Sequence, residues 1–495
     1  APEAAEDAAR AGSRRPPGRP GLRRPRGGAN GARPLAPFPI MRPILRAMAA
    51  LSLLALCAGC TGTGLPAAAP DEALPPMLEF PPTPATPPQR SNAEMVQDFM
   101  DLSFTLETGR SVPVFTRFEG PIRVRMTGEA PPTAQRDLGR LLARLRSEAH
   151  LPVAAAGAGE PAEITVEFLP RRVMQRLVPR AACFVAPRVS SWDAYRRASR
   201  ADLDWTTLDL RDRAAIFVPN DTAPQEIRDC LHEEMAQALG PLNDLYRLPD
   251  SVFNDDNIHT VLTGFDMLML RATYAPELHS GMTAGAVGQR LPAILARLNP
   301  RGERGSAPPP DPTPRAYVAA IESALGPGTS AAGRRAAAED AVQIAESRGW
   351  RDARAGFAWL ALGRLSLGHD REAARLAFAR AAHIYEGRPE LALQSAHADM
   401  QLAAFALAAG DADAALALTS RALPLAAEAE NAALLSSLLM VRAEALELVG
   451  RPSEARAVRL DSLGWARYGF GSDAEVRARL LNIAALSPVN RARPK

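Results

Sequence analysis

The chain has 495 residues, 47% hydrophobic and 23% charged, with a net charge of +3. That length exceeds a single core, so two or more domains are expected, and the hydrophobic fraction excludes a wholly disordered chain. The charge is uneven: residues 1–46 hold ten Arg against Glu3, Glu6 and Asp7, a surplus of +7 that leaves −4 for the remainder. The body is therefore mildly acidic, which argues against a nucleic-acid-binding role for it.

Residues 1–40 are rich in Pro, Gly and Arg and carry no core-forming pattern. They read either as a basic tail or as sequence upstream of a start at Met41. From Met41 a secretion signal follows. Arg42 and Arg46 form its positive part, and Ala47 to Leu56 form an apolar stretch too short to span a bilayer. Leu56-Cys57-Ala58-Gly59-Cys60 resembles a bacterial lipobox, with Cys57 where Leu is more usual. The resemblance implies lipidation at Cys60 of a periplasm-facing outer-membrane lipoprotein; an ordinary cleaved signal is the alternative. Residues 61–92, with Pro81-Pro82-Thr83-Pro84, are expected to be an extended spacer.

Residues 93–298 mix helical and strand patterns. Asn92 to Glu107 is helical, Pro121 to Met126 alternates as a strand, and Thr133 to Ala149 is an amphipathic helix with Leu138, Leu141, Leu142 and Leu145 inward. Strands follow at Ile164–Phe168, Ala182–Val185 and Ala214–Val218. Thr222-Ala223-Pro224-Gln225 then opens a helix with capping-box spacing and Pro in the first turn. That helix runs to Gly240. Cys183 and Cys230 remain after processing and, in an oxidising compartment, are expected to form a disulfide; two separate buried thiols are the alternative.

The helix carries the chemistry. Glu233 and Gln237 sit four apart on one face, Gly240 follows, and Asn243 comes three later. This is the spacing of HExxHxxGxxH, with Glu234 in the general-base slot. A hydrolytic zinc needs His-type ligands, whereas Glu, Gln and Asn offer only oxygen donors. Such a set suits no zinc and at most a weakly held divalent cation, so no cofactor and no metal ligand are expected. Asp255, in the Asp/Asn-rich stretch after the helix, is a further candidate binding residue; a solvated turn-forming loop is its plain alternative.

Cys230 to Gly240, Ser251-Val252-Phe253-Asn254-Asp255 and Asp266 to Tyr274 with Gly281-Met282 together resemble a proteobacterial domain-of-unknown-function family of lipoproteins, over about residues 95–290. The order of strand, helix and Gly281-Met282 is also similar to a matrixin-like metzincin, with Met282 where a Met-turn would fall. The resemblance implies an α+β zincin-like domain and assigns no activity.

Residues 299–312 form a Pro-rich break, and 313–490 read as wholly helical. Gly368, Gly410 and Gly450 recur at intervals of 42 and 40, each preceded by Ala361, Ala403 or Ala443 and followed by Ala373, Ala415 or Ala455. This resembles tetratricopeptide repeats, where small residues let paired helices approach. The expected architecture is thus a zincin-like α+β domain followed by an all-α tetratricopeptide-like domain. The expected function is a lipid-anchored envelope protein that binds an envelope protein or peptide through its repeats, without peptidase activity. The alternative is a metal-dependent hydrolase of envelope peptides or peptidoglycan, with Glu234 as base.

Overall fold

The β5 run Ala214–Pro219 is buried at all six positions and organises the first half of the molecule. In the computed structural model, residues 73–81, 86–157, 159–304 and 311–492 are described; the expected leader, secretion signal and lipidation site at Cys60 lie outside them. The strands are β1 (Ile122–Gly128), β2 (Val153–Ala155), β3 (Ile164–Leu169), β4 (Phe184–Pro187) and β5, in the order β2-β1-β3-β5-β4. All neighbours are parallel except β4, which runs antiparallel to β5 at the edge with Val185 opposite Ile216.

A strand with both faces covered reads as a continuous apolar run. Ala214, Ile216 and Val218 enter the main core, while Ala215 and Phe217 join Trp192 and Met174 on the other side. β4 starts two residues later than the sequence suggested. Phe184 pairs with Phe217, and Pro187, lacking an amide hydrogen, closes the strand at the edge. β2 has only three residues and no alternation, which is why the sequence did not reveal it.

The helices of this half are α1 (Asn92–Phe104), α2 (Ala134–Ser147), α3 (Arg171–Met174), α4 (Trp192–Arg197), α5 (Pro224–Leu239), α6 (Gly264–Thr273) and α7 (Ala284–Leu298). The four leucines expected inward on α2 are all buried. One local expectation fails. The cap of α5 is Ala223, with no side-chain hydrogen bond, because the Thr222 hydroxyl turns to Glu226 instead. Cys183 and Cys230 form a disulfide that ties the chain just before β4 to α5.

From α8 onward the chain is a helical-repeat-like array: α8 (Arg315–Leu325), α9 (Ala331–Ser347), α10 (Ala353–Ser366), α11 (Arg371–Tyr385), α12 (Ala392–Ala409), α13 (Ala412–Glu428), α14 (Ala432–Leu448), α15 (Pro452–Phe470), α16 (Asp473–Ala484) and α17 (Pro488–Ala492). Ala361, Ala403 and Ala443 are buried, as are Ala415 and Ala455. Ala373 is not. Asp370 caps α11 as Asp411 caps α13, so Ala374 is the true counterpart of Ala415, and the turn at Gly368 is one residue out of step. Gly410 does occupy the left-handed cap position, at φ 82°.

The two halves lie within one compact unit. Residues 73–81, expected as part of a free spacer, are docked. The Leu78 amide donates to the Gly464 carbonyl at 3.0 Å, and Phe80 stacks on Trp465 with centroids 4.4 Å apart. Gly464 permits this approach, since a Cβ there would lie 2.7 Å from Leu78 Cγ.

Candidate functional site

β5 ends at Pro219 and a short link, residues 220–223, carries the chain into α5, which has Pro224 in its first turn. Ile227, Leu231, Met235 and Leu239 anchor it in the main core. At its far end Arg211, 4% exposed, donates to the carbonyls of Gln237 at 2.7 Å and Ala238 at 2.8 Å, and also to that of Gly240. These are carbonyls a helix end leaves without internal partners. Gly240 is needed for proximity: a Cβ there would lie 3.0 Å from the Thr273 methyl.

The three ligand-spaced side chains do not converge. Asn243 Nδ2 donates to the Asp101 carbonyl of α1 at 3.0 Å. Gln237 Nε2 donates to Asp244 Oδ2 at 3.3 Å. Glu233 instead lines a cavity of about 40 Å³ with Asp229, Val252, Asn257, His259 and Thr260, room for about two waters. Asp255 accepts from the Tyr246 hydroxyl at 2.8 Å.

What gathers around Glu233 is negative charge. Burial, then Asp255, Glu107 and Asp229, push its carboxyl up to about 8. Burial, with Glu107, Glu233 and Asp255 behind it, pushes Asp244 well above the carboxylate range. Burial also lifts Asp229 to about 8, against the pull of Arg228. Asp255 keeps an exposed edge, yet the protein packed round its carboxyl still raises it to about 6. Glu234 is 5% exposed, and burial followed by Glu233 and Glu107 raises it strongly; the Val185 amide of β4 opposes this, and Oε2 has no hydrogen-bond partner among the described residues. At neutral pH Glu233 therefore favours its protonated form, and burial pushes Glu234 and Asp244 in the same direction.

The histidines are engaged elsewhere. His232 Nδ1 accepts from the Leu262 amide at 3.0 Å, and burial keeps the ring neutral. His259 Nε2 bonds the Pro249 carbonyl at 3.0 Å. Among the described residues no group of three or more His, Cys, Asp or Glu side chains is arranged to hold a metal ion.

The Asp/Asn-rich stretch is not a free loop. Asp266, fully buried, accepts from Ser251 Oγ at 2.6 Å and from the Val252 and Thr263 amides at 3.2 and 2.8 Å. Tyr246 packs edge-on to Tyr317 of α8 and against Phe357 of α10. The stretch is thus clasped between the two halves. Sequence reasoning missed Asp244, Glu107 and Asp229 as neighbours of Glu233. Asp229 stands one turn before Glu233 and was legible; the other two arrive through tertiary structure.

Residues 92–293 match the model of a family. Its description is Protein of unknown function (DUF2927). No curated protein matches the chain, and no solved structure does. The DUF2927 region covers the sheet, α5 and the clasped stretch, and stops short of the helical array.

Proposed function

We propose that this chain is a lipid-anchored, periplasm-facing outer-membrane protein that binds an envelope protein or peptide and does not cleave it. Its first half is a degenerate metzincin- or matrixin-like domain, and its second is a tetratricopeptide-like array. The observation that carries the non-peptidase reading is the divergence of Glu233, Gln237 and Asn243 into separate contacts. The zincin likeness is supported by β5 feeding α5, and by Met282 buried in the same core. Burial and the nearby Glu233 and Glu107 raise the pKa of Glu234, which favours the protonated form over the ionised form a general base needs. The face of α8, α10 and α12 that meets Tyr246 to His259 is already taken, so a partner docks on other surface, such as α11 and α15 with exposed Leu376 and Leu460.

The test is cleavage of a quenched fluorogenic peptide pool by the purified full chain and by Glu234→Gln. Equal background rates are expected; cleavage by the unaltered chain that the variant loses would overturn the reading. For the anchor, Cys60→Ser is expected to release the protein from membranes, and continued membrane association would count against lipidation.

A further inference from the structure

Residues 171–200 hold eight Arg against one acidic residue, Asp193, a surplus of +7. Set beside −4 for residues 47–495, that leaves −11 for the rest of the body. The positive charge is therefore concentrated in one segment, and the fold gathers it on one side of the sheet.

α3 and α4 cover the face of the sheet opposite α5. Met174 of α3 and Trp192 of α4 close over Ala215 and Phe217 of β5, with Val173, Phe184, Tyr195 and Ala198 at the margin. The Trp192 and Tyr195 rings lie 5.2 and 5.4 Å from that of Phe217. Among the described residues nothing from α8 to α17 joins this cluster, so the outer side of α3 and α4 is left to solvent. Arg172, Arg176 and Arg180 are exposed on and after α3, and Arg196, Arg197 and Arg200 on and after α4.

Few counter-charges reach them. Arg171 pairs with Glu226, and Arg188 donates to the Thr207 hydroxyl at 2.8 Å. Asp193 lies 3.6 Å from Arg196, and Glu167 accepts from the Trp192 amide at 2.7 Å. Arg172, Arg176, Arg180, Arg197 and Arg200 make no hydrogen bond or ion pair among the described residues. Between Arg176 and Arg180, in the turn after α3, Leu177 is 54% exposed.

Like charges gathered without counter-ions repel one another and favour an anionic partner. The apolar tip selects among anionic partners. A bilayer surface offers phosphates to the guanidiniums and a hydrocarbon boundary to the leucine. A single-stranded nucleic acid stacks on exposed aromatic rings, whereas Phe184, Trp192 and Tyr195 turn inward to the sheet. An acidic peptide would pair with the arginines and leave Leu177 in water.

We propose that the outer surface of α3 and α4 docks on an anionic lipid surface, with the five free arginines at the phosphates and Leu177 at the acyl boundary. The proposal goes beyond the Cys60 anchor and does not rest on it. Salt weakens such docking, so it orients the domain against a membrane and does not replace an anchor.

Vesicle sedimentation with the full chain carrying Cys60→Ser tests this, on phosphatidylcholine alone or mixed equally with phosphatidylglycerol. Binding is expected to the mixed vesicles only, falling at least about tenfold between about 0.1 and 0.5 M salt. A triple variant, Arg172→Gln with Arg176→Gln and Arg180→Gln, is expected to bind about 10–100-fold more weakly. Leu177→Ser loses about 3–10-fold. The same charge change at exposed Arg301, Arg380 and Arg456 leaves binding within about twofold. Residues 1–46 are basic as well, so hydrogen exchange localises the contact: amides within 171–200 are expected to slow on mixed vesicles. Equal binding to both vesicle types, binding to neither, equal loss in the two triple variants, slowing confined to residues 1–46, or tighter binding of polyglutamate than of mixed vesicles would overturn the proposal.

Discussion

The two halves of α5 are buried alike and compensated differently. In the first half, Gln225 Nε2 donates to Asn431 at 3.2 Å and its Oε1 accepts from the Ala433 amide at 2.9 Å. Arg228 donates to the Glu430 carbonyl at 2.6 Å and to Thr260, with Tyr468 and Phe80 against its guanidinium. In the second half, Glu233 and Glu234 face other carboxyls and meet no cation among the described residues, and Gln237 makes one long bond to Asp244. The first half reads as architecture that docks the family domain on the helical array. In the second, burial and neighbouring carboxyls raise the pKa values of Glu233 and Glu234.

The largest expected effect breaks the paired half. Arg228→Ala removes a buried cation and strands the Glu430 carbonyl, at a cost of about 3–5 kcal/mol. Denaturant unfolding measures it, and limited proteolysis near residues 299–314 should quicken as the halves part. Next comes the disulfide, which closes a loop over a sequence separation of 47. Replacing both Cys by Ser should cost about 2–4 kcal/mol. Thiol labelling without reductant should leave Cys183 and Cys230 unmodified, and ready labelling of both would refute the bond.

The smallest effect sharpens the acidic half through pH. Glu233, Asp229 and Asp256 hold their protons to about 8 when folded, and Asp255 and Asp266 to about 6. Unfolded, all five release them near 4. Each bound proton therefore favours the folded state below pH 4, and that advantage is lost as pH rises from about 4 to 8. The Tm should peak on the acid side of neutrality and fall toward pH 8. Glu233→Gln should flatten the fall and raise the Tm at pH 8 by roughly 2–4 °C; a steeper fall would show that Glu233 is ionised and compensated.

Much of the fold was legible where local pattern and burial coincide. The apolar run of β5, the leucine stripe of α2 and the cysteine pair all speak through nearest neighbours. The site was legible in its spacing and not in its surroundings. Ser251, Asn254 and Asp256 look solvated because nothing local buries them, yet all three are buried, and Gln394, more than a hundred residues downstream, donates to the Pro249 carbonyl beside them. Arg211 is one of many arginines in the chain, and nothing nearby marks it as the residue that caps α5. Glu107 reaches Glu233 only through the packing of α1 and its following loop.

On the proposed reading, the Glu233–Asn243 spacing survives without the zinc chemistry. Elemental analysis of the purified full chain, alongside Glu233→Ala, tests it most directly. Neither protein is expected to hold zinc near one equivalent. Stoichiometric zinc in the unaltered chain that disappears in Glu233→Ala would contradict it.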